Sequence, residues 1–309
     1  MAGRSSYRLF DIALARRTQV STSLVRLTFT GPEVSRMATY APDQRIKLFF
    51  PPAGGSLETL FEIAKREEHD WYGAYRALPE EQRPPMRTYT IRALRPMRGE
   101  VEVEFVLHGD NGPASRWALR ARPGDRLAMT APAADAEGPA QGYEWKPPRD
   151  VRRVLIVADE TALPAAAGIL EGLASSPLRP KVEALIEVPL NADIQSLEHA
   201  AKLHWLPREA APECRHGERL LRAMQDIDLS DEIRTLGGTS ETADAPDEFD
   251  DERPFWEAAT LDDTAPFYAW IAAESKVAMA IRRYLVNECG LPKRYVTSMG
   301  YWRQGKVSR

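Results

Sequence analysis

A segment rich in alanine, glycine and proline, residues 133–148, divides this 309-residue chain into halves of different hydrophobic period. Before it, apolar and polar residues alternate over short stretches broken by turns, the period of half-buried β-strands. After it, short unbroken apolar runs alternate with helical patterns, as in a parallel sheet covered on both faces. The chain is therefore expected to form an antiparallel barrel over residues 1–140, followed by an α/β parallel-sheet domain over residues 150–309.

In the first half, Val25, Leu27 and Phe29 alternate with Arg26, Thr28 and Thr30 until Gly31-Pro32 breaks the pattern. Further strands are expected at 46–50, 88–93, 100–107 and 126–130. In the third of these, Val101, Val103, Phe105 and Leu107 face one way and Glu100, Glu102 and Glu104 the other. Residues 54–85 form a polar, partly helical insert carrying Trp71, Tyr72 and Tyr75, either a lid or a surface decoration. In the second half, strands are expected at 154–157, 182–188 and 267–271, and helices at 162–173 and 275–288. The segment Cys289-Gly290-Leu291-Pro292 ends the last helix. The acidic run at 239–252 predicts a mobile loop at about 231–255.

The net charge of -4 argues against bulk nucleic-acid binding. Two distant cysteines, Cys214 and Cys289, build no disulfide framework, zinc site or iron–sulfur cluster, so no protein-held metal is expected and redox chemistry requires an organic cofactor. No apolar run approaches the ~20 residues of a membrane helix. With no secretory signal read at the N-terminus, a cytoplasmic monomer without stable membrane insertion is expected.

Two segments carry candidate chemistry. On a strand, Arg87 and Tyr89 share one face and Thr88 and Thr90 the other. The Arg87 guanidinium suits a phosphate, Tyr89 a ring or sugar chain, and Thr90 the edge of a heterocycle. Read alone, the segment is equally an exposed strand. The second runs from His108 through Gly109 and Gly112 to Ala114 and Ser115, a strand–turn–helix junction whose helix start offers N–H groups to a pyrophosphate.

Together, Arg87-x-Tyr89-Thr90, His108-Gly109 and Gly112-Pro113-Ala114-Ser115-x-Trp117-Ala118 resemble the FAD-binding pattern of the siderophore-interacting protein family, ferric-siderophore reductases of the ferredoxin-reductase-like superfamily. Three further segments agree: Asp43-Gln44-Arg45-Ile46-Lys47-Leu48, Ala158-Asp159-Glu160-Thr161-Ala162-Leu163-Pro164, and Gly300-Tyr301-Trp302-Arg303-x-Gly305-Lys306. The resemblance implies a six-stranded FAD-binding barrel and a nicotinamide-binding-type domain. It implies that Arg87, Tyr89, Thr90, His108, Gly112, Ala114 and Ser115 contact FAD, with Thr90 nearest the reactive ring and Trp117 a packing residue. It also places Lys47, Arg303 and Lys306 around an anionic ferric siderophore.

The nicotinamide side lacks a G-x-G-x-x-G fingerprint. Its first turn carries Asp159 and Glu160, with Thr161 a candidate helix cap, and Asp159 and Thr161 are taken as cofactor-side residues. Glu274 stands where many ferredoxin-reductase relatives have a Cys-Gly pair. Glu187, ending the second strand, either accepts ribose hydroxyls, which would favour NADH over NADPH, or is an exposed strand end, and neither dinucleotide is singled out. The expected reaction passes electrons from NADH, NADPH or a ferredoxin through FAD to siderophore-bound Fe(III), releasing Fe(II). The alternatives are a general NAD(P)H–flavin or ferredoxin-type reductase and a non-catalytic siderophore-binding carrier.

Overall fold

Seven strands of the first unit form one curled antiparallel sheet in the order β4-β3-β7-β1-β2-β6-β5. The strands are β1 (Tyr7–Gln19), β2 (Leu24–Thr30), β3 (Arg45–Phe49), β4 (Met86–Thr90), β5 (Ala93–Arg95), β6 (Glu100–Val106) and β7 (Arg126–Pro132). The computed structural model describes residues 6–52, 54–67, 70–110, 112–197, 199–236, 255–260 and 264–305. The expected barrel of six strands is thus a curled sheet of seven, because residues 88–93 split into β4 and the three-residue β5. The sequence reading also missed β1. Its apolar Phe10, Ile12 and Leu14 give way to Arg16 and Arg17, which hides a strand that pairs β7 with its first half and β2 with its second. A register shift between Leu14 and Arg16 bends it around the corner.

Inside the curl, Leu27, Phe29, Leu48, Val103, Phe105, Leu127 and Met129 are fully buried. Phe105 touches Phe50, Tyr89 and Trp117, with ring centroids 6.4, 4.3 and 6.5 Å away. The packing reading of Trp117 is matched by its ring stacked on Phe29 at 6.0 Å. On the outer face, Glu100, Glu102 and Glu104 lie under Arg16, Arg26 and Arg95, which neutralise them. The insert packs as two helices, α1 (Glu58–Arg66) and α2 (Trp71–Arg76), on the outer face of the sheet. There Leu57, Leu60 and Tyr75 bury Phe49 and Ala128 in a second small core. The short α3 (Pro113–Arg120) follows β6.

The chain divides at Tyr143/Glu144 into two compact units. In the second, β8 (Arg153–Ala158), β9 (Lys181–Val188), β10 (Lys202–Pro207), β11 (Trp256–Glu257), β12 (Phe267–Glu274) and β13 (Val296–Trp302) form a sheet ordered β10-β9-β8-β12-β13-β11. All neighbours are parallel except the β11–β13 pair. Among the described residues it is accompanied by the helices α4 (Leu163–Ala174), α5 (Glu218–Gln225), α6 (Ser230–Leu236) and α7 (Ser275–Arg283). Helices α5 and α7 cover the sheet face bearing Leu155, Val157 and Leu185. The helix expected at 275–288 is α7 plus a wider turn over Tyr284–Glu288, ended past Cys289 by Gly290 at φ 71°. The first residues of the expected acidic loop, 231–236, are helical; residues 237–254 lie outside the described ones. Strand order reverses between β8 and β12, and the carboxyl ends of these two strands define the crevice where such sheets bind ligands.

Because Phe105 joins three aromatic rings at zero exposure, Phe105→Ala should cost about 3–5 kcal/mol of stability. Chemical denaturation measures it, and a loss below about 1 kcal/mol would show that the ring is not a core element.

Candidate functional site

In the first unit, β4 is an edge strand whose one neighbour is β3, so its side chains lie at the rim of the curl. Cross-strand pairing puts Lys47, Thr88 and Thr130 on the outer face, and Leu48, Arg87 and Met129 on the inner one. The expected split of Arg87 and Tyr89 from Thr88 and Thr90 is therefore the observed one. Tyr89 packs on Phe105, and burial pushes its phenol well above the usual range against the opposing pull of Arg87. The half-buried Arg87 guanidinium donates to the Met86 carbonyl at 2.7 Å and has no carboxylate partner among the described residues. Burial pulls its pKa down, so an anion placed beside it gains more than it would from an exposed arginine.

The β6–α3 junction matches this cation with backbone donors. Gly112 is the N-cap at φ 106°, a conformation that an L side chain rarely adopts. Among the described residues no side chain caps α3, and no acidic residue lies in its first turn, so the N–H groups of Ala114 and Ser115 suit an anion. Asp110, the nearby carboxylate, is neutralised by Arg116 and Arg120, each at 2.7 Å. Ser115 is buried with its hydroxyl donating to the Val106 carbonyl at 3.4 Å, and His108 is exposed at the turn. A half-buried guanidinium without a carboxylate partner, an uncapped helix start and an aromatic pair fit the phosphates and rings of a flavin dinucleotide. Lys47 lies on the same unit, its ammonium donating to the Tyr72 hydroxyl at 3.3 Å.

In the second unit, the switch-point crevice is laced by its own carboxylates. Asp159 follows β8 and is completely buried. Its Oδ1 accepts from the Thr161 amide at 2.9 Å and hydroxyl at 2.5 Å, while Oδ2 accepts from the Glu274 amide at 2.9 Å and the Trp302 indole at 2.7 Å. One side chain thereby ties the ends of β8, β12 and β13 to the start of α4. Thr161 does not cap α4 as expected: the N-cap is Ala162, and the Thr161 hydroxyl is spent on Asp159. Glu274 caps α7 through the amides of Lys276 and Val277 and also accepts from the amide of Gln304.

Beside Asp159, the Arg208 guanidinium grips Glu160 with two bonds of 2.6 and 2.7 Å and reaches Glu187 at 3.2 Å. Glu187 has zero exposure and also accepts from the Gly217 amide, so the expected ribose contact is not available to it. Burial disfavours the charged form of Glu160, but His216 and Arg208 outweigh it and hold the carboxyl at about 2. Burial and the Glu160 charge push Asp159 the other way, to about 6, against its donors Thr161 and Trp302. His216 lies 3.8 Å from Glu160 and 3.6 Å from Glu187. Burial opposes its imidazolium, yet Glu160, Asp159 and Glu187 more than offset that and raise its pKa. Asp159, Glu160 and His216 offer ligand atoms within 4.8 Å of one another. The oxygens of Asp159 and Glu160 are committed to internal donors, while neither ring nitrogen of His216 has a hydrogen-bond partner among the described residues, and Arg208 supplies the cation that a metal would bring.

Family comparison matches both units. Residues 13–136 match the siderophore-interacting FAD-binding domain, and residues 151–305 match the siderophore-interacting protein model. The chain belongs to the siderophore-interacting protein family. This siderophore-interacting protein is 26% identical to the ferric vibriobactin reductase of Vibrio cholerae over 304 residues, covering 97% of the chain and 90% of that relative. It is 29% identical to the NADPH-dependent ferric-chelate reductase of Escherichia coli, covering 67% of the chain and 74% of that relative. The crystal structure of the siderophore-interacting protein SipS from Aeromonas hydrophila superposes with a TM-score of 0.65 at 25% identity, covering 98% and 94% of the two chains. A flavohemoglobin from Malassezia yamatoensis with bound FAD and heme shares the fold at a TM-score of 0.57 and 14% identity, covering 96% of the chain and 60% of its own.

Of the residues singled out in the sequence, the first unit holds Lys47, Arg87, Tyr89, Thr90, His108, Gly112, Ala114 and Ser115. The second holds Asp159, Thr161 and the half-buried Arg303. Lys306 lies outside the described residues. Sequence reasoning missed Arg208 and His216, which sit in irregular segments after β10 with no motif around them. It also passed over the role of Trp302, although the C-terminal signature contains it.

Asp159→Ala strands four donors at a buried carboxylate and should lower stability by about 3–5 kcal/mol, readable by denaturant unfolding. An unaffected midpoint would show that the strand ends do not depend on it. Because His216 binds its proton more tightly when folded, its contribution is complete below the unfolded imidazole range, about 6.5, and is lost as pH rises through the raised folded value. Stability of the wild type should therefore decline above neutral pH more steeply than that of His216→Asn; equal slopes would exclude this linkage.

Proposed function

We propose that this protein is an FAD-dependent ferric-siderophore reductase, taking electrons from NADPH or NADH and delivering them to siderophore-bound Fe(III). The observation that carries the reading is the Arg87 guanidinium, half-buried without a carboxylate partner, on a unit that matches the FAD-binding domain of the family. The two named reductases among its relatives support the ferric substrate, and one of them is named for NADPH.

Arg87 and the uncapped start of α3 at Ala114 and Ser115 are assigned to the pyrophosphate, and Tyr89 and Thr90 to the flavin end of the cofactor. FAD held by these residues would supply the redox chemistry, coupling a two-electron nicotinamide donor to a one-electron ferric acceptor. Lys47, Arg303 and Lys306 are assigned to the anionic ferric complex. Iron is the substrate throughout. Reduction to Fe(II) weakens its hold on hard, anionic oxygen ligands and lets it leave with the siderophore intact. Asp159 and Thr161 receive a supporting role on the donor side, since their hydrogen bonds are spent on the strand ends. Two free cysteines fit a reducing, cytoplasmic setting. Among the described residues no helix is long and apolar enough to cross a membrane.

The test is anaerobic turnover of a ferric tris-catecholate with a chelator that traps Fe(II). Fe(II) should accumulate with FAD and NADPH or NADH and not when FAD is withheld. Arg87→Ala should weaken FAD binding about tenfold or more, the worth of a charge-assisted hydrogen bond. A protein that binds no FAD, or an Arg87→Ala variant that binds it as tightly as the wild type, would contradict the assignment.

A further inference from the structure

The insert between β3 and β4 reaches one of the substrate cations. Lys47 lies on the outer face of β3, opposite Thr88 of β4 and Thr130 of β7. Two residues along the same face, Phe49 is buried under α1 and α2. From α2, Tyr72 meets the Lys47 ammonium, whose nitrogen donates to the phenol oxygen at 3.3 Å and stands 4.9 Å from the ring centroid.

That ring is itself fixed. It stacks on Tyr75 at 5.8 Å with 26° between planes, and Trp71 meets it edge-on at 5.7 Å. Tyr75 is buried, and its hydroxyl donates to the Pro84 carbonyl at 2.9 Å. Asp70 caps the helix by accepting from the Gly73 amide at 3.1 Å. The phenol is thus held by the small core that attaches the insert to the sheet.

Most cations of this unit are used differently. Arg126, on β7, is bound by both Asp11 and Glu58, and Arg16, Arg26 and Arg95 are bound by the glutamates of β6. Lys47 has no carboxylate partner among the described residues. A neutral oxygen orients its ammonium without cancelling its charge. A flexible four-carbon side chain held this way loses less freedom when an anion arrives, so part of the ordering cost of binding is met in advance. The half-buried ring of Trp71, edge-on to Tyr72, offers apolar surface suited to an aryl group.

We infer that Tyr72 is the positioning residue for Lys47, and that the insert thereby makes the protein selective for ferric complexes with anionic aryl oxygens, catecholates over near-neutral hydroxamates. The inference rests on the ferric-siderophore reading above. It adds to that reading a specificity element in a segment that the FAD-binding motifs do not include.

The experiment compares KM and kcat for a ferric tris-catecholate and a ferric tris-hydroxamate in the FAD-loaded wild type, Tyr72→Phe, Tyr72→Ala, Lys47→Ala and the Lys47→Ala/Tyr72→Ala double variant. For the catecholate, Lys47→Ala should raise KM about tenfold and Tyr72→Ala about fivefold, with kcat little changed, from loss of a charged contact and of its alignment. Tyr72→Phe, which keeps the ring packing, should fall between wild type and Tyr72→Ala. The double variant should be no worse than Lys47→Ala alone, because Tyr72 acts through the lysine. KM for the hydroxamate should shift less than twofold. A catecholate KM unchanged in Tyr72→Ala, or a Tyr72→Ala penalty that persists in full without Lys47, would overturn the positioning role. Equal losses for both complexes would overturn the selectivity. A wild type that reduces neither complex would instead sink the reductase reading itself.

Discussion

The buried carboxylate of Asp159 receives four donors drawn from three places in the chain, and the carboxyl-terminal edge of the second sheet is organised around it. A fully buried carboxylate is costly unless its oxygens are hydrogen-bonded, and both oxygens of Asp159 are. Answering them brings the end of β8, the start of α4, the end of β12 and the Trp302 indole within one hydrogen-bond length of a single group. The same economy extends outward. Glu274, tied through its amide, spends its side chain capping α7, and Glu160 and Glu187 share Arg208. Gly217 is fixed in this arrangement twice over: its amide serves Glu187, and a Cβ there would lie 2.1 Å from Val277.

The first unit follows the opposite policy at its functional rim. Its outer β6 face is a ladder of paired arginines and glutamates, electrostatically closed. At β3 and β4, Lys47 and Arg87 meet neutral oxygens instead, the Tyr72 phenol and the Met86 carbonyl. Charges left unanswered by the fold are available to ligands, and an uncapped α3 adds backbone donors of the same sign. This contrast between closed and open cations, more than the number of basic residues in a chain of net charge -4, is what the proposed binding surface rests on.

Much of this was legible in the sequence wherever period and chemistry coincided. The alternation of Val101, Val103 and Phe105 with three glutamates gave β6 and both of its faces, and Gly112 before Pro113 gave the start of α3. The unbroken apolar run at 154–157 gave β8. What stayed hidden depends on distant partners. The second half of β1 carries Arg16, which pairs with β6 glutamates, and Arg17, which donates to the Ala118 carbonyl, so its composition reads as polar loop. Arg208 and His216 become meaningful only when β10 and its following turn return to Glu160, about fifty residues away in sequence. The insert reads as decoration until Leu57, Leu60 and Tyr75 are seen packed on Phe49. Thr161 shows the limit of local rules: a threonine before a helix favours a cap, but a buried aspartate two residues back competes for the hydroxyl and wins.

The most direct measurement is a single turnover: the FAD-loaded protein is reduced anaerobically, freed of reductant and mixed with a ferric siderophore while flavin absorbance is followed. The account predicts that oxidised flavin returns as Fe(II) forms in proportion, at a rate that rises with siderophore concentration and saturates. Flavin that stays reduced in the presence of the bound ferric complex would contradict it, leaving a protein that holds both partners without passing electrons between them.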